Sequence, residues 1–138
     1  MKRIQTRSMT LALAVVTLAA GCTFSGTNSY TGVLGDTELI QERRNTSLAR
    51  RLTILTPRSR WDGDRLLVEF DLCNKRGAPL EIEYRVEWFD RDGFVVDTRH
   101  HWHPLVLAER SEVPLSLTAP TPDAVTWKLD VRESEPVR

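Results

Sequence analysis

The most regular pattern along the chain is an alternation of apolar and polar residues over short runs. It is unbroken in residues 80–88, where five apolar positions alternate with Glu81, Glu83, Arg85 and Glu87. Residues 65–74 and 125–132 repeat this period, and a shorter set at 113–117 contains Pro114. A period of two predicts antiparallel strands with one face buried, and the proline favours an edge strand. Trp88 and Trp127 fall on the apolar faces and are predicted to be core residues.

Residues typical of turns separate these runs. Asp92-Gly93 predicts a hairpin, and residues 62–64, 75–79 and 119–123 are also turn sequences. Residues 36–51 fit an edge strand followed by a helical turn that begins near Asn45. Six or seven short strands with such turns predict an all-β fold, an immunoglobulin-like antiparallel β-sandwich.

The N-terminus has the organisation of an export signal. Lys2, Arg3 and Arg7 precede an apolar stretch over residues 9–20, which is too short to span a bilayer. The sequence Leu18-Ala-Ala-Gly-Cys22 resembles the bacterial lipobox, in which the cysteine becomes the first residue and is acylated. We therefore expect a diacylglycerol and an N-acyl chain on Cys22, and no other cofactor.

These features predict the domain organisation and the location. Residues 1–21 are predicted to be a lipoprotein signal peptide, residues 22–35 a flexible tether, and residues 36–138 the β-sandwich domain. Thr23 follows the cysteine where an Asp would favour retention in the inner membrane, by resemblance to enterobacterial sorting. The expected location is therefore the periplasmic face of the outer membrane, with the lipid as anchor.

Removal of the signal changes the charge and the cysteine inventory. The 138-residue chain has 19 basic and 19 acidic residues, but residues 1–21 hold three basic residues and no acid. The remaining chain is therefore net −3, which gives no drive toward nucleic acid. With Cys22 acylated, Cys73 is the remaining thiol, either buried or paired between chains, and burial is favoured.

Several segments together resemble the YcfL-like periplasmic lipoproteins. They are the lipobox with its short spacer, residues 74–80, residues 84–90 with Gly93-Phe94, Trp102, and residues 119–121. The resemblance covers about residues 52–131 and implies a small immunoglobulin-like sandwich on a lipid anchor. That family has no known function and no catalytic residues to transfer; its gene neighbourhoods point only to the cell envelope.

All three histidines lie in residues 100–103. On an extended segment His101 and His103 would share a face and could chelate Zn²⁺ or Cu²⁺ with a third ligand from Asp97 or a neighbouring strand. The alternative is that these imidazoles face water while Trp102 packs inward between them.

Two further groups are candidates for partner binding. Arg43, Arg44, Arg50 and Arg51 belong to a stretch, residues 43–60, that contains no acid. They could bind anionic lipid headgroups, phosphate or glycan carboxylates, or instead lie against the Glu81, Glu83 and Glu87 row. Trp61 and Trp102 lie at predicted strand ends, where an exposed indole could anchor a partner.

The sequence lacks the patterns that enzymes need. It has no Ser or Cys nucleophile motif and no Gly-rich phosphate loop, and the row of glutamates is typical of a solvated strand face. We therefore expect a non-enzymatic, lipid-anchored interaction module that binds another envelope protein. The alternative is a lipoprotein that binds a metal or small ligand through residues 100–103.

Overall fold

A computed structural model describes residues 26–33, 40–55, 57–97 and 101–134. These residues form nine strands and one short helix. In chain order the elements are β1 (Asn28–Val33), β2 (Ile40–Arg43), α1 (Thr46–Arg51), β3 (Leu52–Ile54), β4 (Arg58–Asp62), β5 (Arg65–Asn74), β6 (Leu80–Phe89), β7 (His103–Leu107), β8 (Glu112–Thr118) and β9 (Thr126–Glu133). None of the helical segments within this described part is long and apolar enough to cross a bilayer.

The strands form two antiparallel sheets, which confirms the predicted β-sandwich. The five-stranded sheet has the order β2-β1-β9-β6-β7. In the second sheet β5 is central: β8 pairs along one edge, and β3 and β4 follow one another along the other. More strands form than the six or seven predicted, because short elements such as β3, with three residues, carry too little alternation to detect.

The core lies between the two sheets and is made by their apolar faces. Leu66, Val68, Phe70 and Leu72 of β5 point inward against residues such as Ile82 and Leu129. Trp127 packs edge-to-face on Phe70, with ring centroids 4.8 Å apart. Trp88 and Trp127 are both buried, as predicted.

Strand β1 corrects the prediction of a flexible tether over residues 22–35. Asn28–Val33 lies between β2 and β9 and pairs with both. Its composition of small polar residues is typical of a spacer, but the ladder satisfies its backbone and Tyr30 reaches the core. The backbone at Gly32 passes so close to the Trp127 ring that only glycine fits, since a Cβ there would lie 2.3 Å from Trp127 Cζ2. Cys22, the predicted signal, and residues 23–25 and 34–35 of the predicted tether lie outside the described residues.

The elements that follow β1 agree with the sequence more closely. β2 is an edge strand, and α1 begins after Asn45, whose side chain accepts a hydrogen bond from Leu48 N at 2.9 Å. Pro114 lies on β8, which pairs only with β5 among the described strands, as expected of an edge. The Asp92-Gly93 turn also forms, but the strand predicted after it shortens to one bridge between Phe89 and Val95.

Candidate functional site

The two ends of the sandwich differ in chemistry. We call the end formed by residues 43–51, 74–80 and 107–112 the basic end, because it carries arginines from three separate segments. We call the opposite end, formed by residues 61–65, 89–96 and 118–125, the aromatic end. The described chain enters the sandwich at the basic end, where Asn28 of β1 pairs with Arg43 of β2.

The aromatic end exposes large apolar side chains. Trp61 is 44% exposed, Phe94 72% and Val95 42%. All three belong to segments at this end of the sandwich, and apolar groups that cluster on a surface mark interaction sites more often than scattered ones do. The prediction that Trp61 lies exposed at a strand end is confirmed.

A cleft of about 330 Å³ opens beside Trp61 at this end. Its polar lining consists of Asp90, Asp92, Asp123 and Arg91, and Val125 and Pro122 add apolar surface. The cleft is therefore mainly acidic with one indole wall. Such a surface complements a partner that offers basic and apolar side chains.

Local hydrogen bonds shape the turn that displays Phe94. The carboxylate of Asp90 accepts bonds from the backbone N–H groups of Asp92 and Phe94, both at 2.9 Å. Gly93 adopts a positive φ of 85°, which closes the turn. The Phe94 ring therefore projects from a turn that is held by its own residues.

Trp102 lies on the outer face of the five-stranded sheet, not inward as the alternative for residues 100–103 supposed. The guanidinium groups of Arg85 and Arg132 lie over its ring in cation–π contacts. Their Cζ atoms are 4.8 Å and 4.2 Å from the ring centroid, respectively. The pairing of Tyr84 with His103 explains this position, since it brings residue 102 beside Arg85. The half-exposed indole of Trp102 thus covers two arginines of its own chain.

These arginines belong to a charged network on the same face. Asp130 is 1% exposed; its Oδ2 accepts two bonds from Arg85, at 3.0 and 2.9 Å, and its Oδ1 accepts one from Ser29 Oγ at 2.6 Å. Glu83 pairs with Arg132 at 2.7 Å, and Glu87 with Lys128 at 3.6 Å. Glu83 and Glu87, which were predicted to lie on a solvated strand face, are therefore partly buried and ion-paired.

The glutamates of β6 do not take the arginines of residues 43–60 as partners in the described structure. Arg44 pairs with Glu42, Arg51 with Glu133, and Arg58 with Glu69 and Asp71. Arg43 donates instead to the side chain of Gln41. The alternative prediction, that these arginines lie against the Glu81, Glu83 and Glu87 row, is therefore wrong. Those that form ion pairs do so with other acids.

Arg50 and Arg51 line a cleft of about 450 Å³ at the basic end. The other lining residues are Thr46, Ser47, Arg76 and Ala78. Arg76 was not predicted to belong to this group, since it lies in a turn between β5 and β6. The buried side chain of Asn74 fixes that turn: its Nδ2 donates to Ala78 O at 2.8 Å and to Ala108 O at 2.9 Å, and its Oδ1 accepts from Arg76 N at 3.0 Å.

The histidines are not gathered into a metal site within the described residues. His101 and His103 are both exposed, and His103 stacks on Tyr84 with centroids 5.3 Å apart. No group of three His, Cys, Asp or Glu side chains in the described ranges could hold a metal ion. His100 lies outside those ranges.

Cys73 departs from the prediction that it is buried. It lies on the outer face of β5, is partly exposed, and its thiol donates to Glu112 Oε2 at 3.4 Å. Partial burial raises the pKa of the Cys73 thiol, and the hydrogen bond to the Glu112 carboxylate raises it further. The thiol is therefore held in its protonated, less nucleophilic form.

Comparison with known proteins identifies the family of this sandwich. Residues 41–133 match the model of DUF1425, a protein family of unknown function. The chain belongs to the DUF1425 family. The match extends from β2 to β9 and so includes both ends described above.

Solved structures resemble this DUF1425 protein in fold. A DUF1425 family member from Shewanella sp. is 21% identical, with a TM-score of 0.56 over 62% of this chain and 81% of that one. A protein from Campylobacter jejuni is 23% identical, with a TM-score of 0.50 over 59% and 85% of the two chains. No curated protein matches the chain significantly.

Proposed function

We propose that this DUF1425 protein is a non-enzymatic, lipid-anchored interaction module on the periplasmic face of the outer membrane. In this proposal acylated Cys22 holds the chain on the membrane, and the aromatic end docks another envelope protein. The lipobox and the resemblance to the YcfL-like lipoproteins support the anchor. The resemblance also supports a role in the cell envelope.

The observation that carries the docking proposal is the exposure of Trp61, Phe94 and Val95 at one end of the sandwich. Asn28, where β1 begins, lies toward the opposite end. An anchor attached ahead of β1 would leave the aromatic end pointing away from the membrane. Large apolar groups in that position are exposed to envelope proteins and not to lipid.

The chemistry of the aromatic end defines the partner it would bind. Tryptophan is enriched among the residues that dominate binding energy, and Trp61 stands beside a cleft lined by Asp90, Asp92 and Asp123. A partner that inserts an apolar side chain and offers Lys or Arg to these carboxylates would satisfy both parts of the surface. The partner surface is therefore expected to be basic and apolar.

Crosslinking in intact cells tests this docking surface. A photo-crosslinking amino acid in place of Phe94 should give one discrete protein adduct, and Trp61→Ala in the same chain should reduce its yield severalfold. Ser116 provides a matched control, since it is exposed on β8 away from both ends. No adduct at Phe94, or the same adduct at Ser116, would contradict the proposal.

Fractionation tests the anchor separately. Cys22→Ala should move the protein out of the fraction that floats with membranes, since the acyl chains provide the stable attachment. A mass increase on the peptide that begins at Cys22 should be present in the native protein and absent from the variant. Unchanged flotation of Cys22→Ala would refute the lipid anchor.

A further inference from the structure

We propose that the basic end is a second binding surface, for the anionic headgroups of the phospholipid membrane on which the protein is anchored. The inference rests on the proposed lipid anchor and adds an orientation to it. The sandwich would stand with its basic end against the membrane and its aromatic end in the periplasm. A basic cleft, a fixed set of turns and a short connection to Cys22 support this arrangement.

The cleft at the basic end is lined by three arginines and no acid. Arg50, Arg51 and Arg76 surround a volume of about 450 Å³, together with the hydroxyl-bearing residues Thr46 and Ser47. Among the described residues, Arg50 and Arg76 have no ion pair, and Arg51 has a long one, 3.6 Å to Glu133. A phosphate group would therefore meet guanidinium groups with unused donors, which bind phosphate in a bidentate manner.

Other charges near the cleft leave it basic. Arg110 joins the group because its backbone N–H donates to Arg76 O at 2.9 Å, which ties the β7–β8 turn to the β5–β6 turn. Lys75 lies next to Arg76, and its N–H donates to Arg51 O at 2.8 Å. The acids near this end are Glu42 and Glu133, which are paired, Glu112, which accepts from Cys73, and the exposed Glu81 and Glu109.

The connection to Cys22 is too short to carry this end far from the membrane. Four residue steps separate Cys22 from Gly26, so the two Cα atoms can be at most about 14 Å apart. Gly26 packs against the backbone of Arg44, since a Cβ there would lie 2.9 Å from Arg44 C. An acyl anchor at Cys22 therefore holds the basic end close to the headgroups, where a Debye length of about 8 Å lets the charges interact.

Tethering explains why the membrane is the ligand and not a free anion. Once anchored, the arginines meet a high local concentration of phosphodiester groups, which a dilute soluble ligand cannot match. Each basic residue near an anionic surface adds about 1 kcal/mol, or roughly fivefold, to binding. Several together are sufficient to orient the domain.

Vesicle partitioning of the full-length Cys22→Ala chain tests the surface without the acyl anchor. The test variant adds Arg50→Gln, Arg51→Gln and Arg76→Gln; the control adds Arg58→Gln, Arg60→Gln and Arg65→Gln, which remove the same charge away from the cleft. All three chains keep the same leader, so its contribution cancels. Binding is measured on vesicles with about 30% phosphatidylglycerol and on vesicles of phosphatidylcholine alone.

The test variant should partition to the anionic vesicles on the order of 100-fold more weakly than its parent, and the control less than about threefold. Neutral vesicles should not distinguish the three chains. Equal losses in test and control, or no loss in the test variant, would overturn the proposal. So would competition by sodium phosphate beyond that of sodium chloride at equal ionic strength, which would identify a small-anion site.

The outcomes are separable from those of the proposed function. The crosslink at Phe94 uses none of these arginines, and flotation of the native protein depends on Cys22. If both persist while vesicle binding is unchanged in the test variant, the module stands and the headgroup surface fails. If Cys22→Ala stays with membranes in cells, the anchor fails whatever the vesicles show.

Discussion

The basic end and the aromatic end close the same sandwich by different means. At the basic end, buried asparagines join segments that are far apart in sequence: Asn74 reaches Ala108, and Asn28 exchanges two hydrogen bonds with Asn45, at 3.0 and 2.8 Å. At the aromatic end, the turn that carries Phe94 is held by Asp90, four residues away. The side-chain hydrogen bonds that join segments at the basic end are non-local, whereas those that hold the Phe94 turn are local.

This difference relates each end to its proposed use. A cleft that binds phosphate needs its guanidinium groups in a fixed relative position, and arginines from separate segments can be fixed only through contacts between those segments. An apolar anchor such as Phe94 needs only to be presented, which a self-contained turn achieves. The two ends should therefore respond unequally to loss of their central polar residue.

The largest effect is expected from Asn74→Ala. The side chain is 3% exposed, and its removal deletes three part-buried hydrogen bonds, to the backbone of Arg76, Ala78 and Ala108. A hydrogen bond of this kind contributes about 1 kcal/mol, so we expect the three together to lower the free energy of unfolding by about 3 kcal/mol. Urea unfolding monitored by tryptophan fluorescence measures it.

Asp90→Ala is the matched substitution at the aromatic end. It removes two hydrogen bonds to exposed backbone groups, which water can replace, so the expected loss is about 1 kcal/mol. An equal loss of unfolding free energy in Asn74→Ala and Asp90→Ala would show that the non-local and local side-chain bonds contribute equally to stability.

Gly32→Ala is expected to have the next largest effect. The added methyl group would meet the ring of Trp127, whose other contacts include the edge-to-face packing on Phe70. Overpacking of this kind costs about 1–3 kcal/mol. Because β1 connects the basic end to the N-terminal side of the chain, this variant tests whether β1 is part of the sandwich.

Gly26→Ala is a useful comparison for Gly32→Ala, since the neighbour that its Cβ would meet, at 2.9 Å, is the backbone of Arg44 and not a core ring. A thermal midpoint for Gly32→Ala equal to the wild type would indicate that β1 does not pack as described.

Strong alternation predicted most of the fold, and its absence explains the errors. β5, β6 and β9 expose one face and bury the other. The alternation in β6 therefore predicts that Leu80, Ile82 and Trp88 face the core. β1 reads Asn-Ser-Tyr-Thr-Gly-Val, and its inward positions are Asn28, Tyr30 and Gly32. An inward asparagine and glycine give no apolar signal, because their reasons for burial are a hydrogen bond and a neighbouring ring.

The same limit applies to the candidate sites. Trp61 and the arginines of residues 43–51 could be found from composition and position along the chain. Arg76 could not, because its place in the cleft depends on how Asn74 ties the β5–β6 turn to the β7–β8 turn. Trp102 was predicted to be exposed or to pack inward, and the register of β6 with β7 sets it over Arg85 instead.

A smaller effect is expected from Gly93→Ala at the aromatic end. Gly93 has a φ of 85°, which costs about 1 kcal/mol for alanine, although nothing would clash with the methyl group. Gly77→Ala is the control at the basic end, where an added Cβ would come no closer than 3.9 Å to Arg110 Nε. We expect thermal midpoints lowered by a few degrees in Gly93→Ala and unchanged in Gly77→Ala. Loss of the Phe94 crosslink in Gly93→Ala alone would show that the turn presents this ring.

The smallest effect concerns the Cys73 thiol beside the basic end. Its pKa lies above the ordinary value of 9.0, because of partial burial first and the Glu112 carboxylate second. Glu112→Gln should lower this pKa and speed alkylation of Cys73 near pH 8, since more thiolate is present. Glu69→Gln, on the same face of β5, is the control and should leave the rate unchanged. The measurement is the pH–rate profile of iodoacetamide labelling, resolved by peptide mass spectrometry so that Cys22 does not contribute.

The sign of the accompanying stability change follows from linkage. A thiol whose pKa is higher in the folded protein stabilises the fold fully below its unfolded pKa, and this contribution is lost as the pH rises through the folded value. Tyr30 and Tyr84, whose pKa values are raised chiefly by burial, act in the same direction at higher pH. The free energy of unfolding should therefore fall as the pH rises above 9.0. The fall just above this pH should be less steep in Glu112→Gln, because the Cys73 pKa is raised less in that variant. A labelling rate unaffected by Glu112→Gln would mean that the Cys73–Glu112 hydrogen bond does not form in solution.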